Sequence, residues 1–186
     1  MADVIKVRPL FRDNDENELA ELMSTSGFKD EKVYNGQAGL AGELFAMHHL
    51  EERVPALKGN LVSFFWSEKR DPHRRYAKVD VPWLGTGLEV KTSAVIGNPA
   101  HEAQSMSIIV SRDQIEDRKG RSDDLRIVQV YVDPRSKTAA CAWWTTMGTM
   151  RAYGIQMRPA DTYRCLPQDL RRPFEELVAI IKHELE

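Results

Sequence analysis

The sequence predicts a layered α/β (α+β) domain, a mixed central β-sheet flanked by helices. Three observations carry that prediction. Leu40, Leu44, Met47 and Leu50 recur at helical spacing within 36–50. Two short apolar-rich runs flank a Gly85-Thr86-Gly87 turn signal within 79–93 and read as a β-hairpin. The run 125–132, Leu-Arg-Ile-Val-Gln-Val-Tyr-Val, is the best strand in the chain and is ended by Asp133-Pro134.

In chain order, a short strand over 4–10 precedes an acidic segment in which Asn14 or Asp15 caps a helix to about Met23, with Leu19 and Leu22 on its apolar side. Residues 1–35 are expected to form an N-terminal appendage, packed on the core or on a partner. Residues 36–186 are expected to form a single domain, its core over 36–133 and its C-terminal strands and helix over 134–186. The helix over 36–50 carries Ala38, Gly39, Ala41 and Gly42. Glycine is a poor helix former, so its use there points to close approach to a sheet. Residues 61–66 are a β-rich run, 95–103 a loop, and 106–110 a strand. Ser111 then caps a helix to about Lys119, with Asp113 near its positive end. Another strand is expected over 139–146. Gln168 or Asp169 opens a last helix whose buried stripe is Phe174, Leu177, Val178, Ile181 and Leu185.

The 186 residues suit one domain with a sizeable core. No apolar run approaches the roughly 20 residues that a bilayer span needs, and the N-terminus lacks a signal-peptide layout. The two cysteines, Cys141 and Cys165, lie far apart with no metal-ligand spacing. A reduced, cytoplasmic setting with no membrane partner is the expectation. A net charge of −2 gives no global attraction to nucleic acid. The stretch 69–78, with Arg74, Arg75 and Lys78, is nevertheless basic and leads directly into Asp80. A local basic patch beside acids suits a polyanionic ligand.

The hairpin carries the chemistry. Asp80 and Glu89 lie on opposite arms, and Lys91 shares a strand face with Glu89 because side chains alternate. A two-residue loop at Gly85-Thr86, or one at Thr86-Gly87, keeps all three on one face. A symmetric three-residue loop would put Asp80 on the other side. Two carboxylates and a lysine on one sheet face can hold a divalent metal and a water. The competing reading is an exposed cross-strand salt bridge from Asp80 or Glu89 to Lys91.

This layout resembles the PD-(D/E)xK, or restriction-endonuclease-like, nuclease superfamily. The matching features are Glu43 within Gly39-Leu40-Ala41-Gly42-Glu43-Leu44 on the first helix, Asp80, the Leu88-Glu89-Val90-Lys91-Thr92-Ser93 run, and the strand and Ser-capped helix over 108–115. The resemblance covers roughly 36–133, and Val79 stands where the motif name has Pro. It implies a restriction-endonuclease-like core and a nuclease-like domain over 36–186. It also implies a metal-dependent endonuclease cutting DNA in restriction, defence or repair. Asp80 and Glu89 would then ligate Mg²⁺, or Mn²⁺ in its place, with the backbone carbonyl of Val90 as a further ligand. Glu43 would complete the site, through a metal-bound water or a second metal, and Lys91 would act on the attacking water. The alternative is a catalytically inactive nucleic-acid-binding or scaffold protein of the same fold.

Arg74, Arg75 and Lys78 are the expected phosphate contacts, and Gln104 could touch the scissile phosphate. Trp143-Trp144 could stack on bases, although adjacent strand residues face opposite ways, which makes one of them core. His48-His49 on the Glu43 helix read as surface or packed histidines rather than ligands. No dedicated sequence-reading domain is evident, so specificity is expected from loops, from a homodimer, or from a partner protein.

Overall fold

The structure, a computed structural model, describes residues 8–10, 12, 17, 33–61, 81–83, 86–94, 108–110, 112–115, 122–133, 135–156, 162–163 and 167–186. Its centre is a mixed sheet with strand order β1-β6-β5-β3-β2. The strands are β1 (Arg8–Pro9), β2 (Val81–Trp83), β3 (Thr86–Ala94), β5 (Arg126–Asp133) and β6 (Thr138–Thr146), and β8 (Arg172–Pro173) also pairs with β6. A separate two-stranded sheet joins β4 (Ile108–Ile109) to β7 (Thr162–Tyr163). The helices are α1 (Val33–Arg53), α2 (Arg112–Ile115), α3 (Met147–Ala152) and α4 (Phe174–Leu185). The α/β class expected from the sequence is therefore present.

β3 and β5 run parallel, and the other strand pairs among the described residues are antiparallel. The two sheet faces carry separate cores. Leu88 and Val90 of β3 and Val128, Val130 and Val132 of β5 pack with Ala41, Phe45 and Leu50 of α1 and with Phe174, Leu177 and Ile181 of α4. On the other face, Ile127 and Tyr131 of β5 pack with Trp143 of β6, Ile108 of β4, and Met147 and Met150 of α3. A bulge between Gln129 and Val130 shifts the β5–β6 register. It lets Ala142 and Trp143 both enter the second core, while Cys141 and Trp144 enter the first.

α1 runs three residues further at each end than the apolar stripe predicts. It stops at Arg53 because Pro55 follows. A residue before proline is disfavoured in the α region, and Pro55 opens a 3-10 turn instead. α1 meets the sheet at Gly42. A Cβ built there would sit inside the Thr92 side chain of β3, 2.7 Å from Cγ2 and 2.9 Å from Cβ. The close approach read from the small residues is thus located at one pair, Gly42 on Thr92.

Two elements differ from expectation. The last helix opens at Phe174, not at Gln168 or Asp169. Gln168–Leu170 is a 3-10 turn whose Leu170 fills the second core, and β8 pairs with Trp143 and Trp144 before the helix begins. Pro173, at φ −55°, then sits at the helix N-cap, a position that needs no intrahelical N–H. Helix α3, over Met147–Ala152, follows β6 directly and was not among the expected elements. Thr146 caps it, its Oγ1 accepting from Thr149 N at 3.0 Å. Within the expected N-terminal appendage, Arg8–Pro9 pairs with β6 and Leu10 is buried in the first core. The helix expected over 15–23 lies almost wholly outside the described residues, as do the strand over 62–66 and the loop over 95–103. Ser111 and the end of its helix lie outside them too.

Gly42→Ala should lower stability by about 1–3 kcal/mol, because the helix must back off Thr92. Urea denaturation checks it, and Thr92→Ala in the same chain should return part of the loss. If Gly42→Ala proves neutral, the contact is not tight.

Candidate active site on strand β3

β3 sorts its side chains by parity. Leu88 and Val90 enter the first core with α1, so Glu89, Lys91 and Ser93 point to the opposite face. In the parallel ladder to β5, Glu89 lies beside Ile127, Lys91 beside Gln129 and Ser93 beside Tyr131. Glu89 is 3 % exposed. Lys91 is half-buried, and its Nζ lies 2.6 Å from Oε1 of Glu89. Of the competing salt-bridge reading, the Glu89–Lys91 pair is present but its carboxylate is buried rather than exposed, and a pair from Asp80 falls outside the described residues.

The hairpin has a register that the sequence did not single out. Val81 pairs with Leu88 and Trp83 with Thr86, which leaves two residues, 84 and 85, between the paired ends. The shift from the expected loops is one or two residues along the hairpin, and a two-residue connection is retained. Asp80 lies outside the described residues, as do Arg74, Arg75, Lys78 and Gln104, and nothing structural bears on them.

Glu43 is buried on α1 at 3 % exposure. α1 covers the Leu88, Val90 and Thr92 face of β3, whereas Glu89 and Lys91 project from the other. The structure brings Glu89 and Lys91 together; it does not bring Glu43 onto their face. Among the described residues, no three His, Cys, Asp or Glu side chains form a group able to hold a metal. Oε1 of Glu43 and Oε2 of Glu89 are fully buried oxygens. As hard anionic donors they fit Mg²⁺ or Mn²⁺ by chemistry, and the carbonyl of Val90 adds a donor of the same kind.

Sequence reasoning passed over Gln129. It is fully buried beside Lys91, and its Nε2 donates to Ser93 Oγ at 2.9 Å and to Val130 O at 3.3 Å. The signal was available: Gln129 is the one uncharged polar side chain in an otherwise apolar strand centre. The base-stacking idea for Trp143-Trp144 is corrected, since both are core, at 5 % and 2 % exposure. Trp143 donates from Nε1 to Tyr131 OH at 3.1 Å, and the Arg172 guanidinium lies 4.3 Å from the Trp144 ring centre. His49 is a packed histidine, tilted against Phe174 and stacked with Phe45. Burial first, then the charge of Arg8, lowers its pKa from 6.5 to about 4.

Lys91→Met alone should cost about 3 kcal/mol in metal-free buffer, because it strands the buried Glu89 carboxylate. Adding Glu89→Gln should recover most of that, a pattern that denaturation of both single variants and the double would reveal. A second expectation concerns acid. His49 is neutral in the fold well below the pH where it would titrate unfolded, so protonation favours unfolding. Stability is then fully present above about pH 6.5 and falls as pH drops toward 4, by about 3 kcal/mol at most. His49→Phe should flatten that slope; a slope unchanged in the variant would assign it elsewhere.

The chain matches no known family model, no curated protein and no solved structure, so what Glu89 and Lys91 do rests on their own chemistry.

Proposed function

We propose that this protein is a metal-dependent nuclease that hydrolyses DNA phosphodiester bonds as an endonuclease in restriction, defence or repair, on a restriction-endonuclease-like core. One observation carries the reading: a carboxylate and an ammonium, two residues apart on one face of β3, lie 2.6 Å from each other with the carboxylate inside the protein. Desolvating such a pair cancels much of its Coulomb attraction, so as a purely stabilising device it is a poor one. As a chemical device it is apt, because a buried carboxylate holds its lysine in place and aimed.

In this reading Asp80 and Glu89 hold Mg²⁺, or Mn²⁺ in its place, with the carbonyl of Val90 and with Glu43 directly or through a water. The ion supplies a more acidic water and offsets charge on the phosphate and the leaving oxygen. Lys91 orients the attacking water or helps deprotonate it, and stabilises charge as it develops on the phosphoryl oxygens. The reading makes two demands on the fold. Asp80 must share the face of Glu89. Glu43 must reach the same point around the edge or end of the sheet, since α1 lies on the other face. Arg74, Arg75, Lys78 and Gln104 contact the DNA backbone, and a homodimer or a partner protein supplies specificity.

The test is cleavage of supercoiled plasmid and of single-stranded DNA with Mg²⁺, Mn²⁺ or EDTA. Wild type should nick with either metal and not with EDTA, and Asp80→Ala and Lys91→Ala should each lose about 10²-fold or more. Cleavage that survives in both variants would move the site off this hairpin. No cleavage under any condition, with DNA still bound, would favour the inactive binding protein.

A further inference from the structure

A second feature lies away from β3, and it does not depend on the nuclease reading. Between the β1 segment and α1 is a cavity of about 200 Å³ walled by Arg8, Arg12, Phe45, His48, His49 and Glu52. We propose that this cavity is a binding site for a phosphate monoester, held by the guanidiniums of Arg8 and Arg12 and by the imidazole of His49.

The resident ion pairs show what the clamp accepts. Glu52 offers one oxygen to each arginine: Oε2 to Arg8, and Oε1 to Arg12 at 2.8 Å. Two permanent cations thus share a single carboxylate at the cavity wall, and Arg12 also donates to the His48 carbonyl at 3.3 Å. Arg12's hydrogen bond, with Arg8 beside it, keeps Glu52 below the usual carboxylate range, so the clamp is already organised around an anion. A ligand carboxylate would merely duplicate Glu52. A phosphate monoester brings three strong acceptor oxygens and close to two charges, enough to engage both guanidiniums alongside or in place of Glu52.

The independent observation is His49. It is 6 % exposed, lines the cavity, and its Nδ1 is buried with no hydrogen-bond partner. Native proteins rarely leave a buried polar atom in that state without a reason. An imidazole aromatically packed between Phe45 and Phe174 is held rigidly at the cavity wall, where its accessible edge can meet a phosphate oxygen. Phe45 gives the same cavity an apolar wall, which suits the organic body of a monoester rather than bare inorganic phosphate.

Calorimetric titration in phosphate-free buffer, with EDTA throughout so that no metal takes part, tests this on the full chain. The probes are inorganic phosphate, a nucleoside 5′-monophosphate, the parent nucleoside, and a trinucleotide with and without a terminal phosphate. Expected is binding of the monophosphate at least about tenfold tighter than the nucleoside, with Arg12→Gln and His49→Phe each losing about tenfold. His49→Phe keeps the aromatic packing, and thermal melting confirms that both variants fold. If the trinucleotide's terminal phosphate outbinds the mononucleotide, the site reads strand ends; the reverse order makes it a site for free nucleotides. Equal affinity for nucleoside and monophosphate, or phosphate binding unchanged in both folded variants, overturns the proposal.

Discussion

The alternation of β3 is the constraint on which everything else rests. The strand is paired on both sides, parallel to β5 and antiparallel to β2, and each of its faces belongs to a different core. Leu88 and Val90 are committed to the α1 and α4 layer, and that commitment forces Glu89, Lys91 and Ser93 together on the other side. A one-residue slip would bury Lys91 against α1 and expose Leu88 and Val90 to the polar row. Gly42 adds a lock. Its missing side chain lets α1 settle onto Thr92, and a strand shifted by one residue would present a different surface there. The pairing of Glu89 with Lys91 is thus a consequence of packing on the face they do not occupy.

That second face bears an unusual load. Beside the Glu89–Lys91 pair run Gln129, whose Oε1 is buried without a partner, and Thr145, whose Oγ1 is buried likewise. Each such atom forfeits about 1–3 kcal/mol of hydration. Ile127, Tyr131 and Trp143 supply the apolar area that offsets it, and the Trp143 to Tyr131 hydrogen bond keeps that part of the layer satisfied. A sheet face built only for stability would place valines at 89, 91 and 129. The retained polar row is where the fold departs from local consistency, and such departures concentrate at sites of function.

What the sequence made legible was periodic. The 3.6-residue stripe of α1, the unbroken strand over 125–132 and the stripe of α4 were all visible, because each buries one continuous face. The parity of the hairpin was legible too, since any two-residue connection keeps it. Its register was not, because glycines at 85 and 87 signal a turn without saying where pairing stops, and the pairing in fact closes at Trp83 and Thr86. Non-local facts were the least visible. The bulge that sends Ala142 and Trp143 to the same side places Ala142 of β6 as an extra residue between the pairs Gln129–Trp143 and Val130–Cys141, and the two tryptophans, on opposite faces, are both buried because each face carries its own core. β8 was hidden for the same reason: Arg172–Pro173 has no strand propensity of its own and is extended only by pairing with β6. Gln129 was overlooked because a single polar residue in an apolar strand does not alter the pattern that identifies the strand.

On the proposed reading, Glu43 and Glu89 must serve one site from opposite sides of the sheet. Each is buried, and between them lies the backbone of β3. No side chain crosses a paired strand, so a common ligand must sit where the sheet ends. Among the described strands β2 meets that condition, because it stands at one end of the sheet and its described pairing stops at Val81 opposite Leu88, one residue before Glu89. The carbonyl of Val90, like the other carbonyls of β3, lies in the plane of the sheet rather than on either face, so it belongs to neither layer alone. On the proposed reading this accounts for the composition of the set: one acid from the helix, one from the strand, a backbone carbonyl between them, and a final acid entering from the edge. An ion held there would be chelated by both layers at once, and its binding would stiffen the contact between α1 and β3 that Gly42 already makes close.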